Sequence, residues 1–460
     1  MGISARELAA ATPATRDRYI DLLRVASLGV VVLGHWLMAV VGADGQVGNL
    51  LAVVPELQVV TWGLQVMPVF FFVGGFSHAL AYRSRPRYAA FLRARLQRLL
   101  RPTMVFIGVW GAVALTVQLV GGDGGPTGVA LRLVAQPLWF IGIYLAMVAL
   151  TPPLLGLHER YGWGAFAGLV GGAVAVDALR FAAGVPFVEF LNFAFVWLAV
   201  HQLGFLRADG KIRRPGALAA TGLLGAGLLV ALGPYPLSMV GMPGEKVSNM
   251  APPTLALLFH GLWLVGAVEL LRGPGSRFVA RAGVWHKVVA ANGIAMTAFL
   301  WHLTAMLGVY GGMLALDVPL PVPATAAWWL HVPLRIAVAI LLTAVLVAVF
   351  RRFEQPAPTV PAAETGGPSP ASGPGDAPHT ALAAIGVTLA LLGVLGLSMT
   401  GFGGLLEGHA ATLIAVRITA PAAVAMALAG WLLVERAGRP GRAGPGDPTG
   451  RVGRAARAEG

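Results

Sequence analysis

The chain has 460 residues, 57% of them hydrophobic and 12% charged, with a mean hydropathy of +0.75, a balance that no ordinary soluble domain approaches. Its formal net charge of +13 would suit a polyanion, but the basic residues sit in short loops between apolar runs and no nucleic-acid-binding motif accompanies them, so a nucleic-acid partner is excluded. With no cysteine, disulfides, thiolate nucleophiles and Cys-ligated metals are excluded as well.

A helix needs roughly 20 apolar residues to cross a hydrocarbon core about 30 Å thick. Runs of that kind predict an all-α polytopic membrane protein with twelve spans: about 19–41, 50–82, 102–120, 132–155, 163–180, 187–206, 216–233, 252–271, 289–316, 328–350, 382–402 and 410–434. Residues 1–18 form a basic tail, and the first run is too long for a signal-peptide core, so it reads as a retained span. Lys and Arg concentrate in cytoplasmic loops. All but six of the 33 fall in the tails and loops that this layout places inside; Arg132, Arg180 and Lys246 fall outside, and Arg24, Arg335 and Arg417 within spans. Both termini are therefore expected in the cytoplasm. Abundant Ala, Gly and Arg with few Lys suggests a GC-rich bacterial genome, hence a bacterial plasma membrane.

The first span, RYIDLLRVASLGVVVLGHWLMAVV, carries Asp21, Arg24 and His35. An Arg or Asp at mid-membrane costs about 2.5 to 3.5 kcal/mol on insertion scales, so such groups usually face a protein interior or a watery cavity. Arg24 and His35 are 11 residues apart, about three turns, which puts them on one face roughly 16 Å apart. A neutral imidazole is suited to accept a proton from a hydroxyl. The structural alternatives are a buried His bonded to a neighbouring helix and an Asp21–Arg24 ion pair. The second run, with Pro55, Pro68, Gly74 and Gly75, is expected to bend. After it, Tyr88, Phe91, Leu92, Leu96, Leu99 and Leu100 form an apolar stripe beside arginines, predicting an amphipathic helix on the cytoplasmic face. Its Arg95 and Arg98, one turn apart, suit either ligand phosphates or anionic lipid headgroups.

His302, in the ninth span, is placed to hold an acceptor or to bond a backbone carbonyl. The loop GPYPLSMVGMPGEKVSN, with Glu245, Lys246, Ser248 and Asn249, suits a hydroxylated acceptor or a plain connection. Trp139, Tyr144 and Trp197 read as interfacial or core aromatics, and His201 and Gln202 as helix-end polar groups. A Pro/Gly-rich linker at 356–379 separates a ten-span body, 19–355, from a two-span appendage, 380–434, which holds His409 at a mouth and Arg417 within a span. A basic tail expected to be disordered follows at 435–460. No solenoid or inverted repeat is visible.

Four stretches in this order resemble the acyltransferase-3 family of integral membrane acyltransferases: RYIDLLRVASLGVVVLGH, PVFFFVGGF, RLQRLLRP and FEQP. PLWFIGIYLAMVALTPPLL and AFLWHLTAM resemble later spans of the family, and the likeness covers about residues 17–357. Gly74 stands where the family pattern has Ser. The resemblance implies a cytoplasmic acyl-CoA donor, acetyl-CoA above all, no permanently bound cofactor, and a hydroxylated extracytoplasmic acceptor such as a glycan or lipid. It implies His35 as the catalytic imidazole, Arg24 as its partner, Arg95 and Arg98 as acyl-CoA contacts, and Glu354 as the terminal acidic residue. His35 would act as general base or as an acyl carrier. The competing class is a transporter or flippase using Asp21, Arg24 and His35 as a charge set. Because the appendage lies outside the resemblance, the body is expected to work without it.

Overall fold

The computed structural model describes residues 5–13, 15–42, 47–84, 86–121, 125–242, 244–354, 377–406, 410–413 and 416–438. Most of the linker, nearly all of the basic tail and His409 lie outside the described residues. Eleven helices among the described residues are long and apolar enough to cross a membrane, and a pair bent by 55° raises the number to as many as twelve. They are α1 (Arg18–Met38), α2 (Met67–Ser84), α3 (Tyr88–Leu119), α4 (Pro137–Tyr161), α5 (Trp163–Phe181), α6 (Asn192–Ala208), α7 (Pro215–Leu232), α8 (Leu255–Leu270), α9 (Ala295–Ala315), α10 (Ala326–Phe350), α11 (Ala377–Thr400) and α12 (Ala420–Ala437). The bent pair is α8 with Arg272–Ala280. The chain is an all-α polytopic membrane protein whose only strands, among the described residues, are two short antiparallel hairpins. Below, the near end of the bundle is where α1 begins and the far end is where it finishes.

Several expected boundaries move. The basic stretch after α2 is not a separate surface helix. It forms the first turns of α3, a continuous 32-residue helix with Pro102 inside, about 48 Å long at 1.5 Å per residue. Its apolar stripe meets protein instead of lipid: Leu92, Leu96, Leu99 and Leu100 are buried in the main core. The second run breaks before Pro68 into the short turns Pro55–Val60 and Thr61–Leu64, while Gly74 and Gly75 sit in unbroken helix. The ninth run divides into Ala282–Asn292 and α9. In the last run, Ala410–Leu413 and Val416–Thr419 pair as antiparallel strands, so Arg417 lies exposed on a strand, paired with Thr412, and not in a span.

Inside a bilayer, helices associate through close van der Waals packing, which small residues permit. Gly75 of α2 lies against the backbone of His201 and Gly204 in α6, and Gly204 against Phe72 and Phe76, so either Cβ would clash with main chain. Gly386, Gly393 and Gly430 pack α11 onto α12 in the same way. This helix pair is docked on the body. Gly142 of α4 receives Leu395, and Phe106 of α3 meets Phe402 edge-on. Glu435 accepts from Gln97 at 3.0 Å and from Arg93 at 3.5 Å, while Phe402 N–H donates to the Leu131 carbonyl. At the near end Arg207 joins Asp17 and Glu269, each at 2.8 Å. Asp209 accepts from Arg83, His158 and Lys211. Burial works to raise that carboxyl, but these three hydrogen bonds outweigh it and hold it well below the usual carboxylate range.

Candidate active site

One helix, α1, carries two polar centres. Toward the near end Asp21, 4% exposed, accepts from Arg16 Nε at 2.6 Å and from Arg24 Nη1 at 2.8 Å. The carboxylate thus answers the intramembrane cation, as the sequence allows. Arg24 Nη2 donates to Ser77 Oγ at 2.7 Å, and Arg95 Nη2 donates to the Ser77 carbonyl at 3.4 Å. α2 therefore brings together two arginines from different helices. Arg98, one turn along α3, is exposed.

About 16 Å further along α1, His35 Nδ1 lies 3.0 Å from His302 Nε2. The other nitrogen of His302 bonds the Phe299 carbonyl. A carbonyl only accepts, so His302 carries its proton on Nδ1 and, being neutral, presents a lone pair on Nε2. That lone pair accepts from His35 Nδ1–H. In this neutral pair His35 consequently keeps a lone pair on Nε2, the form a general base requires. The logic is that of any base held in one tautomer by a second group behind it. Trp36 Nε1 donates to the His302 carbonyl at 3.0 Å, a second tie between α1 and α9.

His35 is exposed to a far-end cavity of about 310 Å³. Gln65, Gln136, Trp139, Phe140 and Met250 also line it, and none of its lining residues bears a formal charge apart from any proton on His35 itself. Phe140 and Phe299 pack edge-on in its wall, and Phe140 also packs on Phe70 and next to Tyr144. In the loop before α8, Asn249 is buried and bonds the Pro236 and Ser238 carbonyls and Thr254, while Ser248 Oγ accepts from Met250 and Ala251 N–H. Both side chains thus build the loop, Glu245 and Lys246 are exposed, and Val240, Gly241 and Met250 are what this loop gives to the cavity.

Glu354 caps α9. Its carboxylate accepts from Met296 N–H at 3.0 Å, Thr297 N–H at 2.9 Å and Thr297 Oγ1–H at 2.6 Å. These are first-turn groups without helical partners, so Glu354 anchors the helix that carries His302. Burial raises this carboxyl above its ordinary range, against those hydrogen bonds. Sequence reasoning left the His35–His302 contact unread. His201 is also not at a helix end: it is fully buried and bonded to His78. Trp197 is a core residue against Phe71, whereas Trp139 faces the cavity.

The bundle thus sets a pair of imidazoles from two helices beside an uncharged cavity. A model of the acyltransferase domain that defines the acyltransferase-3 family matches residues 17–349. The chain belongs to that family and is a membrane acyltransferase. Neither a curated relative nor a solved structure matches it.

Proposed function

We propose that the enzyme moves an acyl group, acetyl above all, from cytoplasmic acyl-CoA to a hydroxyl of a glycan, lipid or secondary-metabolite acceptor on the extracytoplasmic side of a bacterial plasma membrane. The observation that carries this is the run of contacts from the Phe299 carbonyl through His302 to His35 Nδ1, which leaves a lone pair on Nε2 of a ring exposed to the far-end cavity. The acceptor hydroxyl gives its proton to His35 Nε2 as its oxygen bonds the thioester carbon. The C–S bond breaks, and the departing thiolate takes the proton from the imidazolium. His302 stabilises the charged ring by accepting from its Nδ1–H. The near end is the cytoplasmic one in this reading. Arg95, Arg98 and Arg24 there suit the donor's phosphates and polar arm, since guanidinium forks match phosphate oxygens. A transporter reading would need Asp21 open to a cargo, and its carboxylate is instead closed by Arg16 and Arg24.

The test is transfer of radiolabel from acetyl-CoA to extracted cell-envelope fractions by the purified protein in lipid, with His35→Ala alongside. Label should move with the intact protein and not with the variant. Equal transfer by both would remove the role given to His35, and no labelled product from any fraction would count against the donor.

A further inference from the structure

A second chain of buried polar groups takes no part in the proton transfer at His35. His201 Nε2 lies 3.0 Å from His78 Nδ1, and His78 Nε2 lies 3.0 Å from the Tyr144 hydroxyl. Both imidazoles are sealed from solvent, whereas Tyr144, Arg24, Ser77 and Arg95 are only partly buried. The chain thus runs from the closed interior of α6 through α2 to a partly buried tyrosine on α4. Ser77, the residue before His78 in α2, is where Arg24 and Arg95 converge. Both guanidiniums are within electrostatic reach of the phenol. Gly74 lies against the ring, and a Cβ there would come to 3.4 Å from Tyr144 Cε2, close to ordinary contact.

Two proton arrangements satisfy these contacts. In one, Tyr144 donates to His78 Nε2, His78 Nδ1–H donates to His201 Nε2, and His201 Nδ1–H is left as a buried donor. That atom has no partner among the described residues. In the other, His201 Nε2–H donates to His78 Nδ1, His78 Nε2–H donates to the Tyr144 oxygen, and His201 Nδ1 keeps a bare lone pair. Buried N–H groups without acceptors are rarer in proteins than unused acceptors. The second arrangement therefore prevails, and in it the phenolic proton is unspent and can be given to a further acceptor.

We infer that Tyr144, held by His78 and His201 as positioning residues, donates a hydrogen bond to a carbonyl oxygen of the acyl donor lying alongside Arg24 and Arg95. The inference rests on the donor proposed above. The two arginines suit the anionic part of such a molecule, while a carbonyl needs a neutral, directional donor. The carbonyl belongs either to the thioester or to an amide of the pantetheine arm.

The experiment measures binding of acetyl-CoA, and of an S-ethyl thioether of CoA that lacks the thioester carbonyl, to the full-length protein in nanodiscs. Tyr144→Phe removes one oxygen and should weaken acetyl-CoA about 3- to 10-fold, the worth of one neutral hydrogen bond. If the thioether is unaffected, the partner is the thioester carbonyl; if it weakens equally, the partner is an amide of the arm. His201→Phe leaves Tyr144 in place but removes the N–H that holds His78 in its tautomer, so it should cost the same factor, and the double variant no more. A purely structural chain would lower thermal stability without this matched, non-additive loss. Wild-type affinity for both ligands in Tyr144→Phe overturns the inference. Loss in Tyr144→Phe with full affinity in His201→Phe overturns the positioning role. Failure of the intact protein to bind either ligand would instead sink the donor assignment on which the inference rests.

Discussion

The His35–His302 pair makes a quantitative demand. His302→Leu keeps the volume of the side chain roughly constant and removes the acceptor 3.0 Å from His35 Nδ1. In the resting enzyme that contact is a neutral hydrogen bond, but once His35 has taken the substrate proton it becomes charge-assisted. Hydrogen bonds to charged groups are worth about 1.5 to 3 kcal/mol, and about 1.36 kcal/mol is tenfold in rate. Because a neutral bond worth about 0.5 to 1.5 kcal/mol is already made in the ground state, only the difference, about 1 to 1.5 kcal/mol, falls on the chemical step, and the variant should lose about 5- to 13-fold in kcat with the donor KM little changed. His302→Gln can present an amide oxygen to the same N–H and should recover most of it. Turnover is read as free CoA thiol released by protein in nanodiscs, and a chain without cysteine adds no thiol background. A folded Leu variant within about twofold of wild type, or a Gln variant no better than Leu, would refute the tautomer argument.

Gly75→Ala drives a Cβ into the His201 carbonyl oxygen; overpacking of this kind costs about 1 to 3 kcal/mol or more, so thermal unfolding in detergent should fall by many degrees, and an unchanged midpoint would deny the close approach of α2 and α6. Glu354→Ala strips three hydrogen bonds from the start of α9; it should lower both thermal stability, by about 0.5 to 2 kcal/mol per lost cap, and kcat, with Glu354→Gln milder in both. Ending the chain after Glu354 uncovers core faces of α3 and α4, so the truncated protein should unfold at lower temperature and regain stability when residues 377–438 are supplied as a separate chain; wild-type stability in the truncation would show the docked pair to be dispensable. Single cysteines at Ser84 and Ser248 should label from opposite sides of the membrane, and labelling of both from one side would refute the proposed topology.

Much of the bundle could be read before any coordinates because a span is a local property: 20 apolar residues declare themselves without reference to a partner. The same locality exposed His35 and Arg24, since an ionisable group inside an apolar run stands out wherever it packs. What makes His35 a base of defined tautomer is His302, 267 positions away, and no pattern within either helix announces that pairing. Glu354 was visible as a residue and opaque as a role for the same reason: its three donors belong to another helix. The docking of α11 and α12 did leave a signal, the small residues Gly386 and Ala390 facing Gly430 and Gly393 facing Ala427, spaced as close-packing membrane helices require. The Pro/Gly-rich linker hid it, because a linker suggests separation and says nothing about where the far side lands. The apolar stripe beside Arg95 packs on protein because an apolar face at a membrane boundary need not seek lipid.

The clasp of Glu435 on Arg93 and Gln97 also has a meaning in time. Gln97 and Glu435 are 338 residues apart, and a ribosome adding about 5 to 20 residues per second needs roughly 15 to 70 s to make the second after the first. Throughout that interval α3 stands in the bilayer with its groove for α12 unfilled and Arg93 without its carboxylate. The growing protein must either be shielded there or tolerate lipid in the groove and expel it when the last helix arrives. The groove of α3 is thus closed only after α12 has been made, and a ribosome that stops before α12 leaves an unclosed bundle for quality control to find.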